Sequence, residues 1–296
     1  GGAARAGLCT DCGVSRMTDA KACGRACQFI APDYDGLEAR THGRTAGVGQ
    51  GDAGQGDEAF FGVTKAMHRA AMVGPVSGAQ WTGITTSIAA RLLETGAVTA
   101  VLTVAPDPFD RWKPVPVIVT DAADLLHVRG MRMGWAPTLA LLEPAAAAGH
   151  RRIAVIGIPC QVHALRVLEA ELGYERIYVI GTPCSDNTTT ENFHRFLRLI
   201  DPKPDAVSYL EFRADYRVEL RYDDGRKRRL VPFLKLPLSK LPADFFPMTC
   251  KTCVDYTNRL ADITVGYMAG DGDQWVIARN RSEEHTSELQ SLRHIS

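Results

Sequence analysis

At 296 residues and 45% apolar, the chain is long enough to bury a sizeable core and to hold two compact units. Its 34 Lys and Arg balance 34 Asp and Glu, which removes the one-signed field expected of a nucleic-acid binder. No uninterrupted apolar run reaches the ~20 residues that cross a bilayer, so there is no transmembrane segment and any membrane contact is expected to be peripheral.

The first feature along the chain is a local cysteine set, Cys9, Cys12, Cys23 and Cys27, spaced C-x2-C-x10-C-x3-C. Four soft sulfur donors suit zinc or an iron-sulfur centre over hard cations, and on this segment alone zinc and iron-sulfur are both open. A disulfide framework belongs to small secreted chains; nothing near Gly1 reads as a secretory leader, so a reducing cytoplasm is the expected compartment. The Gly-rich stretch 42–57 shows no periodicity and reads as a linker, making 1–41 a small N-terminal Fe-S segment attached to a body. Its glycines follow no strand and open no helix, so it is not a phosphate-binding loop.

Residues 58–149 form the next expected unit. Ile84, Ile88, Leu92 and Leu93 recur at helical spacing within Ser77 to Glu94, and Gly96 ends that helix. β-Branched runs from Ala97 to Ala105 and from Val115 to Val119 read as strands, Asp121 caps a short helix, and Arg129 to Trp135 has loop character.

Residues 150–280 carry the clearest architecture. Arg152 to Cys160 and Arg176 to Cys184 are near-copies of one unit: basic residue, apolar strand, glycine, proline, cysteine. Between them Leu165, Leu168 and Leu172 share one helical face that stops at Gly173, predicting a right-handed strand-helix-strand crossover with parallel strands. Parallel neighbours lie about 4.8 Å apart, which brings Cys160 and Cys184 together at the carboxyl edge where open sheets bind ligands. A helix near Glu191 to Leu199 precedes strands at Ala206 to Arg213 and Tyr216 to Tyr222, with a turn at Asp223-Asp224-Gly225. Cys250 and Cys253 complete a second, scattered cysteine set, and Ile263 to Gly266 reads as a short final strand. The fold class is therefore α/β: a mixed sheet with a parallel strand-helix-strand core and antiparallel additions. Residues 281–296 look like a translated sequencing adapter and are expected to be foreign, with the native chain running on past Asn280.

Three motifs then carry a resemblance: Gly157-Ile-Pro-Cys-Gln-Val-His-Ala-Leu165, Cys184-Ser-Asp-Asn187, and Cys250-x-x-Cys-x-Asp-Tyr-Thr-Asn-x-x-Ala-Asp-Ile-Thr-Val-Gly266. In these the chain resembles the family of beta subunits of deazaflavin-coenzyme hydrogenases and dehydrogenases over about residues 8 to 278. With the leading cysteine segment and Gly78-Ala-Gln-Trp-Thr-Gly83 it looks most like the photosynthetic branch, whose activities are ferredoxin-dependent 8-vinyl reduction of divinyl chlorophyllides and 7-hydroxymethyl chlorophyll a reduction. The resemblance implies FAD and two 4Fe-4S clusters fed by reduced ferredoxin. It assigns Cys9, Cys12, Cys23 and Cys27 to one cluster and Cys160, Cys184, Cys250 and Cys253 to the other. Flavin binding is expected at Gln80, Trp81, Thr82, Gly83 and Thr85, with the Met131 to Trp135 loop nearby. The implied substrate is divinyl protochlorophyllide or chlorophyllide, its 8-vinyl group becoming ethyl, in the cytoplasm or at the periphery of photosynthetic membranes. Other readings are 7-hydroxymethyl chlorophyll a reduction, a coenzyme-reducing subunit of a hydrogenase or dehydrogenase complex, and a zinc-stabilised interaction module. His163 and Asp186 are the candidate proton donors by sequence proximity, His163 also reading as an ordinary buried helix residue. Trp81 also reads as ordinary core, and Arg226-Lys-Arg-Arg229 either as a solvated strand end or as a ferredoxin dock.

Overall fold

The computed structural model describes residues 9–46, 58–74, 79, 83–266 and 273–279, and the backbone of 292–294. Its strands are β1 (Ala66–Met72), β2 (Ala100–Pro106), β3 (Pro114–Val119), β4 (Arg152–Gly157), β5 (Arg176–Gly181), β6 (Val207–Phe212), β7 (Arg217–Tyr222), β8 (Arg229–Pro232), β9 (Ile263–Gly266), β10 (Gln274–Ala278) and β11 (Leu292–His294). One sheet runs β11-β1-β10-β9-β5-β4-β2-β3 and a smaller one β6-β7-β8. Strands β2, β4, β5 and β9 are mutually parallel, while β3, β10, β1 and β11 add on antiparallel, as the mixed α/β expectation has it.

The parallel strands read as continuous apolar runs because both faces of the sheet are covered. Ile153 and Val155 of β4, with Ile177 and Val179 of β5, pack under Val162 and Leu165 of the helix Pro159–Leu168. Their alternates Ala154, Tyr178 and Ile180 face the other way, onto Ile84, Ile88 and Leu92 of the helix Ile84–Glu94. A separate cluster joins the small sheet to Phe193, Phe196 and Leu197 of the helix Thr190–Ile200, whose first turn is capped by the Thr189 hydroxyl accepting from Asn192 N–H at 3.1 Å.

Several expectations change. Gly266 does not end the last strand of the body, since β10 follows and pairs antiparallel with β9. Strand β1 was not expected from sequence, and β8 closes the second hairpin around Asp223-Asp224-Gly225. Residues 292–294, within the tail set aside as foreign, lie along β1 as an edge strand; an open edge offers unpaired backbone groups to any extended segment, so this pairing is silent about origin. Of the stretch read as a linker, residues 47–57 lie outside the described residues, but the N-terminal segment itself packs into the body. Val14, Ala22, Ala26 and Leu37 share one core with Leu139, Leu165 and Ile153. Glu38, wholly buried, accepts from Ala46 N–H at 3.0 Å and from the Arg259 guanidinium at 2.8 Å, tying the segment to the loop before β9.

That loop is held to the sheet by a buried ion pair. The Arg166 guanidinium lies 2.9 Å from the Asp262 carboxylate, which also accepts from Val179 N–H at 2.6 Å, while Arg166 Nε–H donates to the Leu260 carbonyl at 3.0 Å. Arg166 also pairs with Glu169 at 2.8 Å, so Asp262→Ala leaves the guanidinium one carboxylate and strips the Val179 N–H of its side-chain acceptor; it is expected to destabilise the protein by about 1–3 kcal/mol, read as a lower urea midpoint at unchanged slope.

Candidate functional site at the carboxyl edge of the sheet

Strands β4 and β5 pair in register from Arg152↔Arg176 to Gly157↔Gly181, so their exits lie side by side. After β4, Pro159 opens the helix and Cys160 sits in its first turn; after β5, Cys184 N–H donates to the Tyr256 carbonyl at 3.0 Å. Asn258, at φ 57, sends its side-chain amide to the Gly157 carbonyl at 2.7 Å and to that of Thr182 at 3.3 Å. Gly181 makes the approach possible: a Cβ there would stand 2.6 Å from Ala261 Cβ and 2.7 Å from Asn258 Nδ2. One amide thus fastens both strand ends to the segment that carries Cys250 and Cys253.

The consequence is that Cys160, Cys184, Cys250 and Cys253 line one small cavity. All eight cysteines are free thiols. Burial pushes Cys184 up to about 12, helped by Cys250 and Cys253, and pushes Cys160 well up, helped by Cys184. In the first set burial again dominates, taking Cys12 to about 12 with contributions from Cys23, Cys27 and Cys9. Thiols that resist ionisation beside one another are the arrangement a cationic metal centre stabilises, because a coordinated thiol is deprotonated outright. Among the described residues no three His, Cys, Asp or Glu side chains are placed to hold one metal ion.

The two sets adjoin. The Thr10 hydroxyl lies 3.7 Å from Cys160 Sγ, Cys12 acts on the Cys160 thiol, and the Gln28 amide donates to Cys253 Sγ at 3.4 Å. Residues 9–28 therefore bring one set and the outer wall of the other. The backbone of Asn187 hydrogen-bonds the Cys250 thiol, and its side-chain amide donates to the Gly134 carbonyl at 3.2 Å, linking the thiol cavity to the Met131 to Trp135 loop.

A second cavity of about 430 Å³ opens at the carboxyl ends of β2, β4 and β5, within the range of small-ligand sites. Gly83 and Thr85 line it, as does the Met131 to Trp135 loop; Gln80, Trp81 and Thr82 lie outside the described residues. It shares Thr10, Ile158, Cys184, Ser185 and Asn187 with the thiol cavity. Asp186 lines it too, its carboxyl raised by burial against an opposing pull from Lys251, so it holds its proton more tightly than a free carboxyl.

His163 does not line it. The ring is fully buried, its Nδ1 lies 3.0 Å from the Ala26 carbonyl, its Nε2 accepts from Asp33 N–H at 3.3 Å, and Tyr34 packs edge-on at 5.2 Å. With both nitrogens held by backbone it is a peg fastening the N-terminal segment rather than a proton donor, which corrects the reading from sequence proximity. The basic run is answered locally as well: Arg226 and Arg229 pair with Asp201 and Arg228 with Glu219, which favours the strand-end reading. Sequence reasoning missed Gln28 and Gln274 and reached Arg132 only as part of the Met131 to Trp135 loop; the proximity of Gln28 to Cys27 offered a signal, and Gln274 had none.

Comparison with known proteins follows this geometry. Residues 67–143 match the family model for the N-terminal part of the coenzyme F420 hydrogenase/dehydrogenase beta subunit, and 150–290 match that for its C terminus. An uncharacterized protein, all1601, of Nostoc sp. is 38% identical across 95% of this chain and 70% of its own length. The chain belongs to the family of coenzyme F420 hydrogenase/dehydrogenase beta subunits. The 7-hydroxymethyl chlorophyll a reductase of Oryza sativa is 38% identical over 88% of the chain, and the coenzyme F420-dependent sulfite reductase of Methanocaldococcus jannaschii 26% over 71%. The chain spans 54% and 34% of the lengths of these two relatives. A solved F420-reducing NiFe hydrogenase complex from Methanosarcina barkeri shares the fold, with a TM-score of 0.70 at 21% identity over 80% of this chain and 83% of that one. Among the described residues no helix is long and apolar enough to cross a membrane.

The peg carries a pH dependence. Burial holds the His163 imidazole below its ordinary 6.5, with Asp33 and the Ala26 carbonyl pulling the other way, so below that pH the unfolded chain binds a proton that the folded one refuses. Its contribution is complete above about pH 6.5 and is lost as pH falls through the depressed value. The protection factors of the Ala26 to Asp33 amides should therefore fall in acid, and the difference in acid sensitivity between the wild type and His163→Gln should vanish above neutrality.

Proposed function

We propose that the protein is an iron-sulfur flavoprotein oxidoreductase that takes electrons from reduced ferredoxin and reduces a tetrapyrrole, converting the 8-vinyl group of a divinyl protochlorophyllide or chlorophyllide to ethyl. The observation that carries this reading is the shared wall: a small cavity lined by four thiols stands against a cavity of organic-ligand size, with Cys184 lining both. Cys160, Cys184, Cys250 and Cys253 would hold the inner 4Fe-4S cluster and Cys9, Cys12, Cys23 and Cys27 the outer one. Bound FAD supplies the conversion of one-electron supply into two-electron, hydride-type reduction.

Saturating a vinyl group takes two electrons and two protons. Among the residues, Asp186 lies at the cavity wall with its carboxyl raised by burial, and we assign it as the proton donor to the carbon that does not receive hydride. Gly83 and Thr85, at the start of the helix Ile84–Glu94, and Ile156 with Val265, at the sheet edge, line the cavity that would take the ligand. A second reading, reduction of 7-hydroxymethyl chlorophyll a, is favoured by the rice relative of that name.

Anaerobically purified protein is expected to carry about eight iron and one FAD per chain, from four thiolates per four-iron cluster. With reduced ferredoxin it should turn 3,8-divinyl protochlorophyllide into the 8-ethyl product, followed by chromatography. Conversion of 7-hydroxymethyl chlorophyll a alone would move the assignment to the second reading. Reduction of coenzyme F420 with neither pigment touched would refute a tetrapyrrole substrate, and zinc in place of iron would refute the redox role of the thiol sets.

A further inference from the structure

The larger cavity holds cations that no described carboxylate answers. Arg129 and Arg132 line it, both from the loop between the short helix Leu125–Val128 and Trp135. Among the described residues their guanidiniums reach only backbone carbonyls: Arg129 that of Leu126, and Arg132 those of Met131 at 2.8 Å and Arg129 at 3.2 Å. The Nε–H of each arginine and the Trp135 indole N–H are buried without an acceptor among those residues. Burial alone acts on Arg132, lowering its proton affinity, and no described carboxylate opposes it. A guanidinium stays charged in a protein, and a desolvated charge facing only neutral dipoles is unfavourable until an anion arrives.

The surroundings agree in sign. The eleven-residue helix Ile84–Glu94 begins at the same cavity, and its N-cap Gly83, at φ 85, offers no side chain to the first turn. Gln274, 6% exposed, also lines the cavity, and its Oε1 has no donor among the described residues. The cavity thus presents cationic donors from one loop and an unpartnered acceptor from β10, while Asp186, the carboxylate on its wall, is engaged by Lys251 and acts on neither arginine; this orders a ligand bearing an anion and, elsewhere, an N–H or O–H.

We propose that Arg129, Arg132 and Trp135 form an oxyanion site that binds the anionic end of the cavity's ligand, either the diphosphate of a dinucleotide flavin or a carboxylate of the substrate. The choice of probes rests on the flavoprotein reading; the site itself rests on the unpaired donors.

Equilibrium dialysis of the flavin-depleted full chain tests it with four probes: FAD, riboflavin, divinyl protochlorophyllide and its methyl ester. If the diphosphate is the anion, Arg132→Gln and Arg129→Gln should each weaken FAD by about thirtyfold while riboflavin stays within about twofold, the scale of a lost charge-assisted contact. If the carboxylate is the anion, the same variants should weaken the free acid and leave the ester unchanged. Arg132→Lys should restore part of the affinity. Should the Gln variants fail to fold, the wild type decides: added salt must weaken the anionic member of one pair more than its neutral partner. Equal effects on both members of both pairs, in variants or in salt, would overturn the oxyanion site. Binding of no flavin while acid and ester are still distinguished would remove the flavin reading and keep the site.

Discussion

The in-register pairing of β4 with β5, closed by one asparagine amide, is the constraint on which the rest of the site depends. Six paired residues on each strand bring Gly157 level with Gly181, and whatever follows those glycines must emerge together. Asn258 then binds the carbonyl at one exit and that beyond the other, fixing the loop that delivers Cys250 and Cys253. The left-handed backbone at Asn258 is tolerated because its short polar side chain finds those partners at once. A one-residue slip between the strands would invert every side chain of β4 relative to β5 and bring the two exits out of level.

From this frame the chemistry divides into two compartments with a common wall. The thiol cavity is bounded by the N-terminal segment, and the larger cavity by the arginine loop and the start of the helix Ile84–Glu94. Buried charge follows the same division. Arg166 with Asp262, and Arg259 with Glu38, are paired and hold structure, whereas Arg132 has only carbonyls among the described residues. In a chain whose formal charges balance overall, an unbalanced pair of cations in a cavity is a local decision.

Sequence showed best what depends on short-range pattern. The β4-helix-β5 crossover was legible because two near-copies of one unit flank an apolar helical face, and the grouping of Cys160 with Cys184 follows from it. Strands β1 and β10 were not: Ala-Met-His-Arg-Ala-Ala-Met has neither alternation nor β-branched residues, and six of its seven residues are half-buried. The docking of the first segment was hidden for another reason. Its core contacts are single residues such as Val14 and Ala26, and its fastening runs through His163, whose partners are backbone atoms far away in sequence, and Glu38, whose distant partner is the Arg259 side chain. The arginine loop was visible as a loop, but which groups surround Arg132 is a property of space alone.

The order in which the chain is made acquires meaning from the shared core. The first four thiols leave the ribosome early, yet Leu139, Leu165 and Arg259, against which their segment packs or is tied, come much later. At about 5–20 residues per second the interval between Cys27 and Cys253 is roughly 10–45 s. During that time half of the thiols stand without the walls that exclude oxygen and adventitious metals. Nascent chains are thus most vulnerable before β9 is synthesised, and translation speed and oxygen tension together set the yield of intact protein.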